Sequence, residues 1–249
     1  MCCVIKALAG WHLTEAASIC RERCGGQGYL SCNRFGTSIA LSHAAITAEG
    51  DNSVLMQKVA TEQLTLMEPV TLKNTAKKIM DLEPNLKSSE YLHTLLESRE
   101  SRLFLELGAK MMKAGKEGRF ETWMYREQDL VQAAARAYGE RLVSECFRNA
   151  VEKADSSIEP ILSKLLQLYQ ITVIERNLGY FTSSQMMSAS IGSNVGSVAA
   201  DLCRDIAPQA LALCDAFGIS DSMLNAPIAQ DWVKFNVVDN QGELAGIEF

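Results

Sequence analysis

Hydrophobic residues recur along this chain mostly at the three- and four-residue spacing of amphipathic helices. Residues 2–23 keep that spacing without an interrupting proline, which predicts a first helix. Glycine-rich sequence is expected to end it, and residues 31–47 predict an irregular stretch with a short helix near 37–45. Asp51 or Asn52 is a good N-cap for the next helix. The apolar side of that helix is predicted to consist of Val54, Leu55, Val59 and Leu66.

Longer helices are predicted in the second half of the chain, after a polar connection. Residues 68–89 contain two prolines and a surplus of polar residues, which is typical of a partly helical link between domains. Pro160 suits the first turn of a helix and Gly218 suits a helix end. A strand-like pattern stands out at residues 234–238 alone, so the predicted fold class is all-α with bundle packing. The helices are expected at about 89–114, 120–154, 157–178, 182–191 and 195–217.

Composition and charge exclude several classes of protein. The 249 residues are 47% hydrophobic and 22% charged, so the chain can bury a substantial core and does not have a disordered composition. The net charge of −6 argues against nucleic acid or an anionic membrane surface as a partner. No apolar run reaches the roughly 18 residues of a membrane span. The first residues do not resemble a secretory signal, so none is expected.

Several of the eight cysteines lie at apolar positions of helical patterns, as free thiols that act as small hydrophobic residues do. This usage predicts a reducing compartment and no disulfide framework. A zinc set made of Cys20, Cys24, Cys32 and His43 is the alternative. Its spacing fits no common zinc finger, and a second C-x-x-C motif is absent from the sequence.

Two short stretches carry the candidate chemistry. Gly25, Gly26 and Gly28 follow the first helix, either as a cap and tight loop or as backbone that a phosphate or flavin edge approaches closely. They do not form a dinucleotide fingerprint, because no strand precedes them. Glu49 lies before Gly50 and a helix start. It is either a solvated carboxylate favoured by the positive end of the helix, or a base that removes a weakly acidic carbon-bound proton.

Taken together, residues 20–30, 33–36, 49–55 and 202–228 resemble the acyl-CoA oxidases, which are flavoprotein relatives of the acyl-CoA dehydrogenases. The resemblance implies that Glu49 is the catalytic base of an E-G-[DE]-N motif. It would take the α-proton of an acyl thioester while the β-hydrogen leaves as hydride to the flavin. It also implies FAD-binding residues, of which Asp51 replaces a threonine usual in the dehydrogenases. Those residues are Gly25, Gly26, Gly28, Tyr29 and Asp51.

The same resemblance implies a domain organisation. Residues 1–85 would be the C-terminal part of the flavin-site helical bundle, which is incomplete here, and residues 86–249 a second C-terminal helical domain. The family also needs an N-terminal helical domain and a β-rich middle domain. We therefore expect the chain to be the C-terminal portion of an oxidase. By itself, the chain should bind flavin weakly or not at all and should not turn over substrate.

The function implied is oxidation of fatty acyl-CoA to trans-2-enoyl-CoA, with O2 reduced to H2O2, as the first step of fatty acid β-oxidation. A homodimer in the peroxisome is expected, although the sequence ends in GIEF and not in the S-K-L address. Two alternatives stay open. One is an acyl-CoA dehydrogenase with a C-terminal extension, and the other is a non-catalytic helical fragment that serves dimerisation.

Overall fold

The computed structural model describes residues 1–237, and every regular element within them is a helix, which confirms the all-α prediction. Single 3-10 turns connect several helices, and a π-helical turn occupies Thr122–Arg126. The α-helices are α1 (Cys2–Arg23), α2 (Gly25–Tyr29), α3 (Phe35–Thr47), α4 (Asn52–Leu66), α5 (Pro69–Lys78), α6 (Ser89–Glu121), α7 (Gln128–Glu152), α8 (Glu159–Arg176), α9 (Leu178–Ser183), α10 (Ala189–Gly192), α11 (Val195–Ile206) and α12 (Ala210–Asp215).

The long helices α1, α6, α7 and α8 form as the periodicity of the sequence predicted, although α6 ends at residue 121 instead of 114 and α7 begins at 128 instead of 120. Pro160 lies in the first turn of α8. Other boundaries were predicted wrongly. Helix α3 is longer than the expected 37–45. The helix expected at 182–191 is broken, because the hydroxyl of Ser188 starts a new turn by accepting a hydrogen bond from the Ile191 amide at 3.3 Å. The helix expected at 195–217 is broken at Pro208, which has no amide hydrogen to donate.

The strand-like pattern at residues 234–238 does not form a strand where it is described. Residues 232–237 are helical, and residue 238 lies outside the described residues. A short run of alternating residues is a weak signal, and two-fold alternation without a partner strand cannot satisfy backbone hydrogen bonds. A helix satisfies them within the segment itself.

The chain forms two compact units. One consists of Met1–Leu8 with Ser53–Ala210, and the other of Ala9–Asn52 with Leu211–Phe249. In the first unit, α6 packs against α5, α7 and α8, and α8 also packs against α11. The core between these helices is aliphatic and aromatic. Its fully buried members include Leu92, Leu95, Leu96, Ile171, Ile174 and Phe181. The division between residues 85 and 86 stays a prediction.

Helix α4 buries only part of the apolar side that its sequence predicted, since Val59 is buried and Leu55 is half-buried. Val54 and Leu66 are 60% and 74% exposed, whereas Met56, Val59 and Ala60 are buried. Val59 belongs to the predicted side, whereas Met56 and Ala60 lie next to it on the helix surface and were not predicted to be buried. Helix α4 is amphipathic only weakly by sequence, so its packing partners decide which face is buried.

A buried polar network joins α6, α7 and α8. His93 Nδ1 lies 2.9 Å from Ser144 Oγ, which also accepts a hydrogen bond of 2.9 Å from the Gln170 side chain. Burial lowers the pKa of His93 from 6.5 to about 4, and the cations Arg148 and Arg141 act in the same direction. The negative charge of Glu145 acts in the opposite direction but does not outweigh them. The Glu97 carboxylate lies 3.7 Å from His93 Nε2. The imidazole is therefore neutral near pH 7.

Two buried ion pairs lie beside this network and link α6 to α7. Arg99 pairs with Glu140, and the backbone carbonyl of Glu140 accepts a hydrogen bond of 3.0 Å from Tyr169. Arg141 Nε donates to Glu100 at 2.6 Å. Burial raises the pKa of Glu100, although the hydrogen bond from Arg141 opposes that shift. These charges can be buried among apolar side chains because each carboxylate is paired with an arginine.

All eight cysteines are free thiols in the structure, but the interpretation of them as buried hydrophobic residues is wrong. Five are exposed and three are half-buried. A cysteine that occupies a helical position therefore need not lie on the buried face. Among residues 1–237, no helix is long and apolar enough to cross a membrane.

Candidate functional site

Helix α2 holds the three glycines, and the structure gives them different roles. Gly25 has φ of +57°, the left-handed conformation that favours glycine. Gly28 is buried, and a Cβ atom there would lie 2.0 Å from the carbonyl oxygen of Arg21. Gly26 has no positive φ, is exposed, and would place a Cβ atom with no other heavy atom within 4 Å. The fold itself thus requires glycine at positions 25 and 28 but not at position 26.

Asn33 fixes α2 to a distant segment of the same compact unit. Its amide nitrogen donates to the backbone carbonyl of Gln27 at 2.9 Å and to the side-chain oxygen of Gln27 at 3.1 Å. Its side-chain oxygen accepts a hydrogen bond of 2.8 Å from the amide of Ile228. Asn33 is buried, so these bonds replace water that the amide group has lost. Sequence reasoning missed this residue as a connector, because its partner is 195 positions away.

Glu49 lies on a strained turn between α3 and α4. Ala48 is extended, with φ of −60° and ψ of 144°, and the next two residues, Glu49 and Gly50, have φ of 58° and 104°. A non-glycine residue in the left-handed region costs about 1–2 kcal/mol. The Glu49 side chain is exposed on this turn. Strain of this kind is concentrated at functional sites, which makes Glu49 a candidate on conformational grounds as well as chemical ones.

The turn is anchored at its far end by Asn52, the first residue of α4. Asn52 is fully buried, and a Cβ atom at Gly10 would lie 3.2 Å from its side-chain nitrogen. Glycine at position 10 therefore allows α1 to approach the start of α4 closely. Asp51 precedes the helix directly, in the N-cap position predicted from sequence, and is exposed. Carboxylates at this end of a helix are favoured by the backbone dipoles.

The predicted site residues all belong to one compact unit, that of Ala9–Asn52 and Leu211–Phe249. Tyr29 is 83% exposed and packs little against that unit. The zinc alternative finds no support, since no group of three or more His, Cys, Asp and Glu side chains in residues 1–237 is arranged to hold a metal. The available chemistry is that of an exposed carboxylate on a turn and of open backbone at Gly25 and Gly26.

The fold is that of the C-terminal region of flavin-dependent oxidases of acyl-CoA thioesters. Acyl-CoA oxidase 3 of Yarrowia lipolytica matches with a TM-score of 0.86 and 20% identity, over 99% of this chain and 38% of its own. Acyl-CoA oxidase-2 of Caenorhabditis elegans, solved with FAD, ascaroside-CoA and ATP, matches with a TM-score of 0.82 and 19% identity, over 99% of this chain and 39% of its own.

Sequence comparisons agree with the fold. The family model described as acyl-CoA oxidase matches residues 88–231, and the model of the acyl-CoA oxidase C-alpha1 domain matches residues 1–64. The chain belongs to the acyl-CoA oxidase family, which confirms the resemblance seen in its motifs. It is 25% identical to the peroxisomal acyl-coenzyme A oxidase 3 of Arabidopsis thaliana, over 93% of this chain. It is 26% identical to peroxisomal acyl-coenzyme A oxidase 1 of Bos taurus, over 97%.

The chain spans little more than a third of these relatives, 36% of the Arabidopsis protein and 39% of the bovine one. The two family models that match this chain describe the C-terminal helical domains of acyl-CoA oxidases.

Proposed function

We propose that this chain is the C-terminal portion of a flavin-dependent acyl-CoA oxidase, with Glu49 as its catalytic base. The observation that carries the proposal is the strained, exposed turn of Glu49 and Gly50 at the start of α4, within the region that matches the oxidase C-alpha1 domain. A solvated surface glutamate has no need of a left-handed backbone, because glycine, asparagine or aspartate adopts that conformation at lower cost.

The chemistry assigned to Glu49 is removal of one proton. A thioester carbonyl acidifies the hydrogen on its α-carbon, and the Glu49 carboxylate takes that proton as the α,β double bond of the trans-2-enoyl-CoA forms. The backbone at Gly25 and Gly26 would hold FAD, which would supply the acceptor for the β-hydrogen as hydride and the route of its electrons to O2, with H2O2 as the product. The contribution of this chain is to hold the carboxylate at a defined backbone position and to keep it open to the substrate.

The glycine helix supplies backbone for the cofactor. Gly25 and Gly26 are exposed and leave room for a flat or charged group to approach the main chain, which is the fit that FAD requires. Gly28 shapes the turn by its close approach to Arg21. Tyr29 at the end of α2 and Asp51 before α4 are exposed polar residues of the same compact unit. Structures of acyl-CoA oxidase-1 and acyl-CoA oxidase-2 of Caenorhabditis elegans have been solved with FAD.

The test of the base is Glu49→Gln in the full-length oxidase that contains this chain, compared with Glu22→Gln, an exposed glutamate of the same unit. Enoyl-CoA formation is followed by ultraviolet absorbance, peroxide by a peroxidase-coupled dye, and FAD by its visible spectrum. Loss of a general base typically costs about 100- to 10,000-fold in rate. Glu49→Gln should show that loss with FAD still bound, and Glu22→Gln should not. Normal turnover by Glu49→Gln would exclude the assigned role.

The test of the cofactor site uses Gly26→Ala, because no steric or conformational demand of the fold explains glycine there. We expect FAD affinity to fall while the melting temperature of the protein without FAD stays the same or rises. Unchanged FAD affinity would contradict the assignment of this backbone to the cofactor. The isolated 249-residue chain is expected to bind FAD weakly and to be inactive, because it spans little more than a third of its relatives.

The electron acceptor separates an oxidase from a dehydrogenase with an extension. We propose O2, so that the full-length protein forms one H2O2 for each enoyl-CoA with air as its sole acceptor. Absence of peroxide together with activity on an artificial electron acceptor would favour the dehydrogenase. A peroxisomal location is proposed from the names of the relatives, and co-localisation of a fluorescent fusion with a peroxisomal marker tests it.

A homodimer is proposed because the unit that carries the site exposes many large apolar side chains, which is typical of an interaction surface. Sedimentation velocity of the full-length protein at micromolar concentrations should show a dimer. A monomer at all of these concentrations would contradict the proposal. These exposed residues include Leu41, Leu211, Phe217, Ile219, Met223 and Val233.

A further inference from the structure

A large apolar groove in the other compact unit has no role in the proposed oxidation. It lies between α4, α5, α6 and the π-helical turn and has a volume of about 940 Å³. Ligand pockets in proteins are about 300–1,000 Å³, so the groove lies at the upper end of that range. Its floor is formed by apolar side chains such as Leu72, Phe104 and Met111, which are buried.

The charged residues that line the groove are all cationic, although the whole chain has a net charge of −6. They are Lys73, Lys116 and Arg119, and no aspartate or glutamate lines the groove with them. None of the ion pairs found within residues 1–237 involves these three side chains. Three uncompensated cations beside an apolar floor favour a ligand that is anionic at one end and hydrocarbon at the other.

The backbone around the groove is irregular in two places. Gly115 interrupts α6 with φ of 62° and ψ of −168°, a conformation that is almost exclusive to glycine. The chain then passes through the π-helical turn Thr122–Arg126, a feature that is frequent at functional sites. Residues from both sides of the break, Phe104 before it and Trp123 after it, line the same groove. A continuous straight α6 would carry the later residues away from the earlier ones.

We propose that this groove binds a single-chain anionic lipid of the fatty carboxylate class, with the alkyl chain on the apolar floor and the carboxylate between Lys73, Lys116 and Arg119. Four of the lining residues are methionines, whose flexible side chains adapt to hydrocarbon chains of differing length. The lining residues all belong to one compact unit, and none of them is among the candidate site residues, which belong to the other. The inference therefore does not depend on the proposed oxidase activity.

Trp123 allows the site to be tested by a contact-dependent signal. The chain has three tryptophans, and Trp11→Phe with Trp232→Phe leaves Trp123 as the sole fluorophore. Bromine on the alkyl chain of a long-chain fatty acid quenches tryptophan fluorescence on contact. We expect saturable quenching of the full chain by the brominated fatty acid. We expect no quenching by the same concentration of coenzyme A, which has anionic groups but no alkyl chain.

Matched variants distinguish a built site from nonspecific adsorption. Lys73→Gln, Lys116→Gln and Arg119→Gln combined should weaken binding about tenfold, since each exposed charge contributes a few-fold at most. Lys113→Gln, an exposed lysine of α6 that does not line the groove, should leave the affinity unchanged. Ala109→Phe fills the groove from an exposed position and should abolish quenching without lowering the melting temperature.

Several outcomes would overturn the proposal. These are quenching that does not saturate, equal affinity of the triple variant and the parent chain, or competition by coenzyme A. Protection of Trp123 in a dimer, relieved when the chain is diluted, would assign the groove to a second copy of the chain instead of a lipid.

Discussion

Replacing Gly28 by alanine adds one methyl group where α2 lies against the end of α1. That methyl carbon would be 2.0 Å from the carbonyl oxygen of Arg21 and 2.9 Å from its carbonyl carbon. Real Cβ contacts below 3.0 Å are essentially not found, so the two segments must separate by about 1 Å. The obstacle is backbone, which cannot move out of the way by rotating a side chain.

The cost follows from the local connections of α2. The helix has only five residues, and the amide of Cys24 just before it is hydrogen-bonded to the Cys20 carbonyl at 3.1 Å. The carbonyl of Gln27 accepts from Asn33 at 2.9 Å. A shift of α2 strains both bonds. Overpacking typically costs about 1–3 kcal/mol, and we expect Gly28→Ala to lie at the upper end, at about 3 kcal/mol.

Thermal unfolding followed by circular dichroism measures this difference. For a protein of this size, 1 kcal/mol corresponds to about 2–4 °C in melting temperature, so Gly28→Ala should melt roughly 6–12 °C below the parent chain. Gly25→Ala should lose about 1–2 kcal/mol, because alanine must adopt the left-handed φ of +57° there. Gly26→Ala should gain about 0.4–1 kcal/mol, because it reduces the entropy of the unfolded chain without a clash.

The order of the three variants is the decisive result. The close approach of α2 to Arg21 would be refuted if Gly28→Ala melted within 2 °C of the parent chain. It would also be refuted if Gly28→Ala and Gly26→Ala had the same melting temperature. The glycines would then have to be explained by a ligand alone.

Three further predictions concern buried polar groups. The pKa of His93 is lowered to about 4, so its contribution to stability is complete above pH 6.5 and is lost as the pH falls toward 4. Denaturant unfolding measures how much the free energy of unfolding falls between pH 7 and pH 4. This fall should be about 3 kcal/mol smaller in His93→Gln than in the parent chain. Arg99→Met leaves the Glu140 carboxylate buried without its partner and should cost about 3–5 kcal/mol, whereas adding Glu140→Leu should recover most of that loss; equal loss in both variants would contradict the pairing. Asn33→Ala removes the acceptor of the Ile228 amide and should cost about 2 kcal/mol, with faster hydrogen exchange at that amide as its specific signature.

Much of the secondary structure could be predicted from local signals. Helical periodicity, glycines and prolines placed α1 and α8 within a few residues, and α6 and α7 with one end each off by seven or eight residues, because backbone hydrogen bonds in a helix join residues close in sequence. The predictions failed where local signals are weak. The buried face of α4 was assigned correctly only in part, since Val54 and Leu66 are exposed, and the cysteines were not buried, because several faces of these helices have similar hydrophobicity. Contacts with other helices decide between such faces.

The candidate site divides in the same way. Residue types and spacing drew attention to Glu49 and the three glycines, since a carboxylate before a glycine and a Gly-Gly-x-Gly run are visible in the sequence, and the resemblance to the acyl-CoA oxidases implied their roles. Tertiary structure decided that Gly28 is needed for the approach to Arg21 and that Asn33 holds Ile228. It also decided that Lys73 and Lys116 line the same groove. Such pairings are not encoded in local periodicity, because folding brings together residues whose separation along the chain has no fixed relation to their distance in space.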